Sequence, residues 1–205
     1  MARYTGAVCR LCRRDGVKLF LKGSRCFSEK CAIDKRNFPP GQHGQARAKK
    51  IVGYGLQLRE KQKAKRIYFT LEGQFRSYYE KASNRPGVTG ELLLQQLERR
   101  LDNVAYRIGY AISRRQARQI VRHGHVSVNG KKVNIPSYQM KVNDVIELRE
   151  DAKKLAIVEG AVQFHSGLQQ PTWLQIDREA RRAKVLSLPK REEIHLPVNL
   201  SLIHI

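Results

Sequence analysis

"SRRQARQIVRHGHVSVNGKK", residues 113–132, holds Arg114, Arg115, Arg118, Arg122, Lys131 and Lys132 and no acidic residue. Ser113 followed by Gln116 three positions on is a capping-box signature and Gly124 is a C-terminal stop, so residues 114–123 are predicted to form one short helix. At about 100° per residue, the four arginines fall within one arc of about 100°, while Ala117, Ile120 and Val121 occupy a separate arc beside it. One arc packs and the other is left for a ligand. The next residues, "HVSVNGKKVNI", alternate Val126 and Val128, turn at Asn129-Gly130 and resume with Val133 and Ile135, the pattern of a β-hairpin on a type I′ turn. Helix and hairpin together predict a compact scaffold that displays Lys131, Lys132, the arginines and His123 against an apolar backing. Guanidinium groups suit phosphate because their planar fork donates two hydrogen bonds at once.

The bulk charge agrees with a polyanionic partner. The chain has 205 residues, with 40 Lys and Arg against 18 Asp and Glu, for a formal charge of +22. Residues 1–66 carry 18 basic and 4 acidic residues, so +14 of that charge sits in the N-terminal third. Such self-repulsion destabilises a compact state and is the electrostatic footprint of nucleic-acid binding. A membrane partner is disfavoured: aliphatic clusters such as Leu92–Leu94 are short and no lipidation signal is present. The opening "MARYTGAVCRLCRR" lacks the apolar core of a secretion signal, so a cytoplasmic location with reduced thiols is expected. Hydrophobic residues at 41% suffice for one or two small domains.

The four cysteines lie within the first 31 residues, as Cys9-x2-Cys12 and, 13 residues on, Cys26-x4-Cys31. Four thiolates can close a tetrahedral shell around zinc, and a segment this small and charged gains a staple it could not obtain from apolar burial. Such a site is structural, with no open position for substrate. An iron–sulfur cluster uses the same ligand set; the further alternatives are two disulfides, disfavoured in a reducing compartment, and four thiols that merely fill space, disfavoured because buried inert cysteines do not usually come as CxxC. Arg10, Arg13, Arg14, Lys18, Lys22 and Arg25 lie between Cys9 and Cys26, so the metal is expected to fix a loop that presents cations, with Arg13 and Arg14 as RNA contacts.

Residues 37–50, "NFPPGQHGQARAKK", read as a linker in which His43 is a solvated or RNA-facing histidine. A helix is predicted over 54–68, with Arg59, Lys63 and Arg66 on one face and Lys61 and Lys65 beside it, a polar surface that phosphates could cover. Thr70 is placed to cap the next helix, whose stripe Leu71, Phe75, Tyr78, Tyr79 and Ala82 faces a core. After a break at 83–90, a longer helix from Glu91 to Gly109 carries Leu93, Leu97, Leu101, Val104 and Ile108 on one side, and Asp102 within it reads as a cap or a local ion pair.

Residues 100–148, "RLDNVAYRIGYAISRRQARQIVRHGHVSVNGKKVNIPSYQMKVNDVIEL", resemble the small RNA-binding module named after ribosomal protein S four. "CRLCRRDGVKLFLKG", "PPGQHG" at 39–44, "LREKQKAKRIY" at 58–68 and "LPVN" near the end resemble the bacterial members of that ribosomal family. The sequence departs from the family at its end, stopping at Ile205 before a short acidic and aromatic tail. The resemblance implies an α+β protein with a four-cysteine metal knuckle and linker (1–45), a mostly helical domain (46–97 with 190–205) and an inserted α+β RNA-binding module with helix-turn-helix-like helices and a β-hairpin (98–189). It implies a primary binder of small-subunit ribosomal RNA, at a multi-helix junction of the 5′ domain, that starts assembly of the subunit body and influences decoding accuracy. Its implied neighbours are ribosomal proteins S five and S three and the mRNA in the channel by which it enters the ribosome, with Arg47, Lys49 and Lys50 as channel-facing cations.

Two other readings use some of the same features. An RNA-modifying enzyme can carry the same module, but no P-loop, nucleophile elbow or small-molecule site is visible here. A zinc-dependent DNA-binding regulator would place base-reading Asn and Gln beside Arg, whereas Gln116 and Gln119 lie off the arginine arc.

Overall fold

The computed structural model describes residues 4–46, 50–167 and 169–203. It divides into two compact units, Met1–Gly90 with Leu196–Ile205, and Glu91–His195.

The first unit is helical. α1 (Cys9–Asp15) ends on Gly16, whose φ of +67° is the left-handed conformation that a side chain disfavours. A 3₁₀ turn (Gly23–Cys26) and α2 (Ala32–Lys35) complete the cysteine segment, which buries Val8, Leu19, Leu21 and Ile33. α3 (Tyr54–Ile67) covers the predicted helix within one residue and buries only Ala64 and Ile67, near its end. α4 (Glu72–Ser83) buries Phe75, Tyr78 and Ala82, as its period predicted. Two details differ. Leu71 is exposed, and Thr70 does not cap α4: its hydroxyl turns back to the Lys65 carbonyl at 3.4 Å, because Phe69 at φ +51° reverses the chain there. The C-terminal 3₁₀ turn (Leu200–Leu202) returns to α3, where the Asn199 N–H donates to Glu60 Oε2 at 2.9 Å.

The expected long helix is two helices, α5 (Thr89–Glu98) and α6 (Leu101–Ile108). The apolar period runs unbroken through both, and Leu93, Leu97, Leu101, Val104 and Ile108 are all buried. The break comes from pairing with residues 34–41 positions further along the chain. Arg100 is extended (φ −63°, ψ 135°) and bridges Gln139, the Arg99 carbonyl accepts from Met140 N, and the Leu101 and Asp102 N–H groups donate to Tyr138 O and Pro136 O. Backbone groups released by the interruption thus find partners.

α7 (Arg114–Arg122) packs on α6 and leads into an antiparallel sheet of β1 (Val126–Val128), β2 (Lys131–Lys132), β3 (Val145–Leu148), β4 (Leu174–Asp177) and β5 (Arg182–Val185), in the order β2-β1-β3-β5-β4. Two short helices, α8 (Glu150–Lys153) and α9 (Ala156–His165), join β3 to β4. The hairpin closes with Val128 opposite Lys131, and Asn129 and Gly130 at φ +49° and +77° form the turn that "NG" predicted. β2 is short and leaves Ile135 exposed. Ala117, Ile120 and Val121 from α7 join Val104, Val126, Val128, Ile146, Leu148 and Trp173 in one core. Mixed helix and antiparallel sheet is the fold class the sequence suggested.

Candidate nucleic-acid interface

Ser113 Oγ accepts from the Gln116 N–H at 3.3 Å and so caps α7, while Gln116 Oε1 reaches back to the Ile112 N–H at 2.8 Å. This fixes where the helical arc of arginines begins. The arc is not uniformly exposed. Arg118 is buried, with Nη1 3.1 Å from Asp102 Oδ2. The same carboxylate takes Arg100 through Nε at 3.0 Å and Nη2 at 2.7 Å. Burial lowers the proton affinity of Arg118 and the Asp102 charge opposes that shift, so the group is a charged structural element of the interior. The expected surface contact at Arg118 is therefore corrected: α6 covers that edge of α7 and supplies the acid that residues 113–132 lack. Asp102 is indeed an ion-pair residue, and it also accepts from the Asn103 N–H at 2.9 Å.

Arg114 is half-buried, its Nε donating to Asn103 Oδ1 at 2.7 Å and its guanidinium carbon 4.6 Å from the Tyr106 ring centroid. Arg122, His123, Lys131 and Lys132 are exposed and Arg115 is half-buried. Among the described residues, Arg115, Arg122, Lys131 and Lys132 have no carboxylate within ion-pairing distance. Helix and hairpin meet closely: a Cβ on Gly124, at φ +75°, would lie 2.3 Å from Lys132 Cε. The Lys132 side chain thus lies against Gly124, just past the end of α7, and the His123 and His125 rings lie 5.9 Å apart.

In the first unit the basic residues of α3 are paired. Arg66 Nη1 lies 2.5 and 2.6 Å from the two oxygens of Asp15, whose side chain is fully buried, and Arg59 approaches the same carboxylate at 3.7 Å. Lys61 and Lys65 share Glu72 at 2.5 and 2.7 Å, and Lys63 pairs with Glu60 at 2.6 Å. Five cations thus face three carboxylates, which keeps the helix electropositive while fixing its side chains. Burial, then the neighbouring Arg14, lowers the proton affinity of Arg59. Arg14 is exposed, but Arg13 serves the local fold: its Nε and Nη2 donate to the Phe38 and Pro39 carbonyls at 3.0 and 3.4 Å, and it lies 4.8 Å over the Phe38 ring. His43 and Lys50 are exposed, and Arg47 and Lys49 lie outside the described residues.

All four cysteines carry free thiols; Cys26 and Cys31 are buried, and Cys9 and Cys12 are half-buried. Burial pushes the Cys12 thiol up to about 11 against a hydrogen bond from the Leu19 backbone, and Cys26, Cys9 and Cys31 add to the rise. The Lys22 N–H donates to Cys26 Sγ at 3.4 Å, a contact that suits a thiolate. Among the described residues, no three His, Cys, Asp or Glu side chains are grouped to hold a metal ion. The donor set fits zinc in type and number, and its placement leaves the shell unclosed.

Residues 3–98 match the family described as ribosomal protein S4/S9 N-terminal domain, and residues 99–146 match the S4 domain. The small ribosomal subunit protein uS4 of Acidobacterium capsulatum is 71% identical over 203 residues, which cover 99% of this chain and 97% of that relative. The proteins of the same name from Koribacter versatilis and Dictyoglomus turgidum are 64% and 62% identical with the same coverage. The chain belongs to the uS4 family. The boundary between the two uS4 family matches falls at the break that separates α5 from α6. Sequence reasoning missed Asp15, Glu72, Glu98 and Asn103 as the residues that orient the uS4 cations. "RRD" and "RLDN", where acid or amide stands within three positions of arginine, hinted at Asp15 and Asn103.

Proposed function

We propose that this chain is a structural, non-enzymatic constituent of the small ribosomal subunit that binds small-subunit ribosomal RNA. The observation that carries the reading is the set of cations without carboxylate partners among the described residues, Arg115, Arg122, Lys131 and Lys132, mounted on a capped helix and a two-residue hairpin turn. A rigid cationic surface loses little side-chain freedom on meeting a phosphate backbone, and counterion release then favours association. Arg114 and His123 extend this surface. Arg14 and the α3 cations Arg59, Lys61, Lys63, Lys65 and Arg66 form a second one, with carboxylates setting their geometry.

The finer assignments rest on family resemblance together with these residues. The protein is a primary binder that nucleates assembly of the subunit body and contributes to translational accuracy. Ribosomal proteins S five and S three are its neighbours, and Arg47, Lys49 and Lys50 face mRNA in the channel by which it enters. Cys9, Cys12, Cys26 and Cys31 hold zinc, with an iron–sulfur cluster as the alternative for the same ligands. Zinc held by these thiolates would supply a crosslink and no reactive position.

Crosslinking in cells followed by sequencing of the recovered RNA tests the reading. Ribosomal 5′-domain fragments are the expected product. A scatter of transfer RNA or DNA would contradict it.

A further inference from the structure

Two chains of polar contacts run between α5, α6 and α7. The first gathers Arg100 and Arg118 onto Asp102 and removes them from solvent. The second runs outward. Glu98, fully buried, accepts from Asn103 Nδ2 at 2.6 Å and from Arg107 through Nε at 3.0 Å and Nη2 at 2.7 Å. Asn103, 2% exposed, also donates to the Glu98 carbonyl at 3.0 Å, and its Oδ1 accepts from Arg114 Nε at 2.7 Å. Arg114 then lies 4.6 Å from the ring centroid of Tyr106.

The residue type at 103 follows from these contacts. An amide fits only one way round, with its NH2 toward two oxygens and its oxygen toward a guanidinium. Aspartate would set a second buried anion against Glu98, and leucine would fill the volume with no partner for either side. The consequence falls on Arg114. A long arginine ordinarily loses rotamer freedom when a ligand fixes it. Here one edge is hydrogen-bonded and one face is stacked before any ligand arrives, while the side chain remains partly exposed.

We propose that Asn103, itself held by Glu98, is a positioning residue that fixes Arg114 against Tyr106 as a pre-oriented contact for an RNA phosphate group. The inference rests on the functional reading above and adds a residue that acts through Arg114.

A double-mutant cycle on the full-length chain tests it, with a transcript of the small-subunit 5′ domain as the probe. Asn103→Leu weakens binding about five- to tenfold, the cost of ordering one arginine, and leaves the slope of log K against log salt unchanged. Arg114→Gln lowers that slope by about 0.7–0.9, the loss of a single phosphate contact. In the Arg114→Gln background Asn103→Leu has no further effect. An equal loss in both backgrounds, or none in the parent, overturns the proposal. A parent chain that does not bind the transcript refutes the functional reading and the inference with it, an outcome distinct from the other two. Where Asn103→Leu proves unfolded by circular dichroism, Tyr106→Leu replaces it: its effect is likewise confined to chains that retain Arg114, and an effect independent of Arg114 overturns the proposal.

Discussion

Asp102 Oδ2 lies 3.1 Å from Arg118 Nη1, and this contact separates the arginines of α7 into one that holds the interior and others that meet solvent. Removing one partner of a buried pair leaves an uncompensated charge. Asp102→Leu is expected to destabilise the Glu91–His195 unit by about 3–5 kcal/mol. Trp173, the single tryptophan and itself buried in that unit, reports the change as a lower denaturant midpoint. Arg118→Gln should likewise lower stability, whereas Arg122→Gln should weaken RNA binding with melting nearly unchanged.

Glu72 neutralises part of the α3 surface. Its carboxyl is held below the usual carboxylate range by hydrogen bonds from Lys61 and Lys65. These ion pairs are exposed enough to add under about 1 kcal/mol to stability. Glu72→Gln should therefore leave melting nearly unaltered and release two lysines to the ligand. Affinity for ribosomal RNA is expected to rise about two- to fivefold at low salt, with the gain fading as salt increases. Filter binding at several salt concentrations measures both effects.

Burial lowers the proton affinity of His165, opposed by its bond to the Ala111 carbonyl at 3.0 Å and aided by the Arg178 charge. Arg107, Glu192, Glu193 and His195 share the cavity that it lines. A depressed folded value means that the unfolded chain takes up the proton first. The contribution of His165 to stability is thus complete above its unfolded value of 6.5 and is lost as pH falls through the folded one. Trp173 unfolding curves should show midpoints that drop below that pH, and His165→Gln should flatten the decline.

The proposed zinc crosslink predicts that chelation acts on the cysteine segment alone. Chelation should erase amide protection across α1, the Gly23–Cys26 turn and α2 and leave β1, β3 and β5 protected. Elemental measurement on the purified chain is expected to return stoichiometric zinc. Iron in that proportion would assign the cluster instead.

Much of this was legible because the signals were local. Ser113, Gln116 and Gly124 bound α7, Asn129-Gly130 set the hairpin, and the period of Phe75, Tyr78 and Ala82 found the buried side of α4. The unforeseen features depend on residues far apart in the chain. Arg118 meets its acid 16 positions away, Arg66 meets Asp15 across 51, and the α5–α6 break is held by Gln139. A run of basic residues shows its charge but not the carboxylates that folding brings to it. That is why the "uncompensated" arc proved partly paired while the residual cations stayed where the periodicity put them.

The most direct test is a salt titration of the intact chain with a 5′-domain ribosomal RNA transcript. With six or more phosphate contacts, affinity should fall by about 1,000-fold or more between roughly 50 and 200 mM salt, along a straight line in log K against log salt. A flat titration would contradict the claim that the exposed cations bind the RNA backbone.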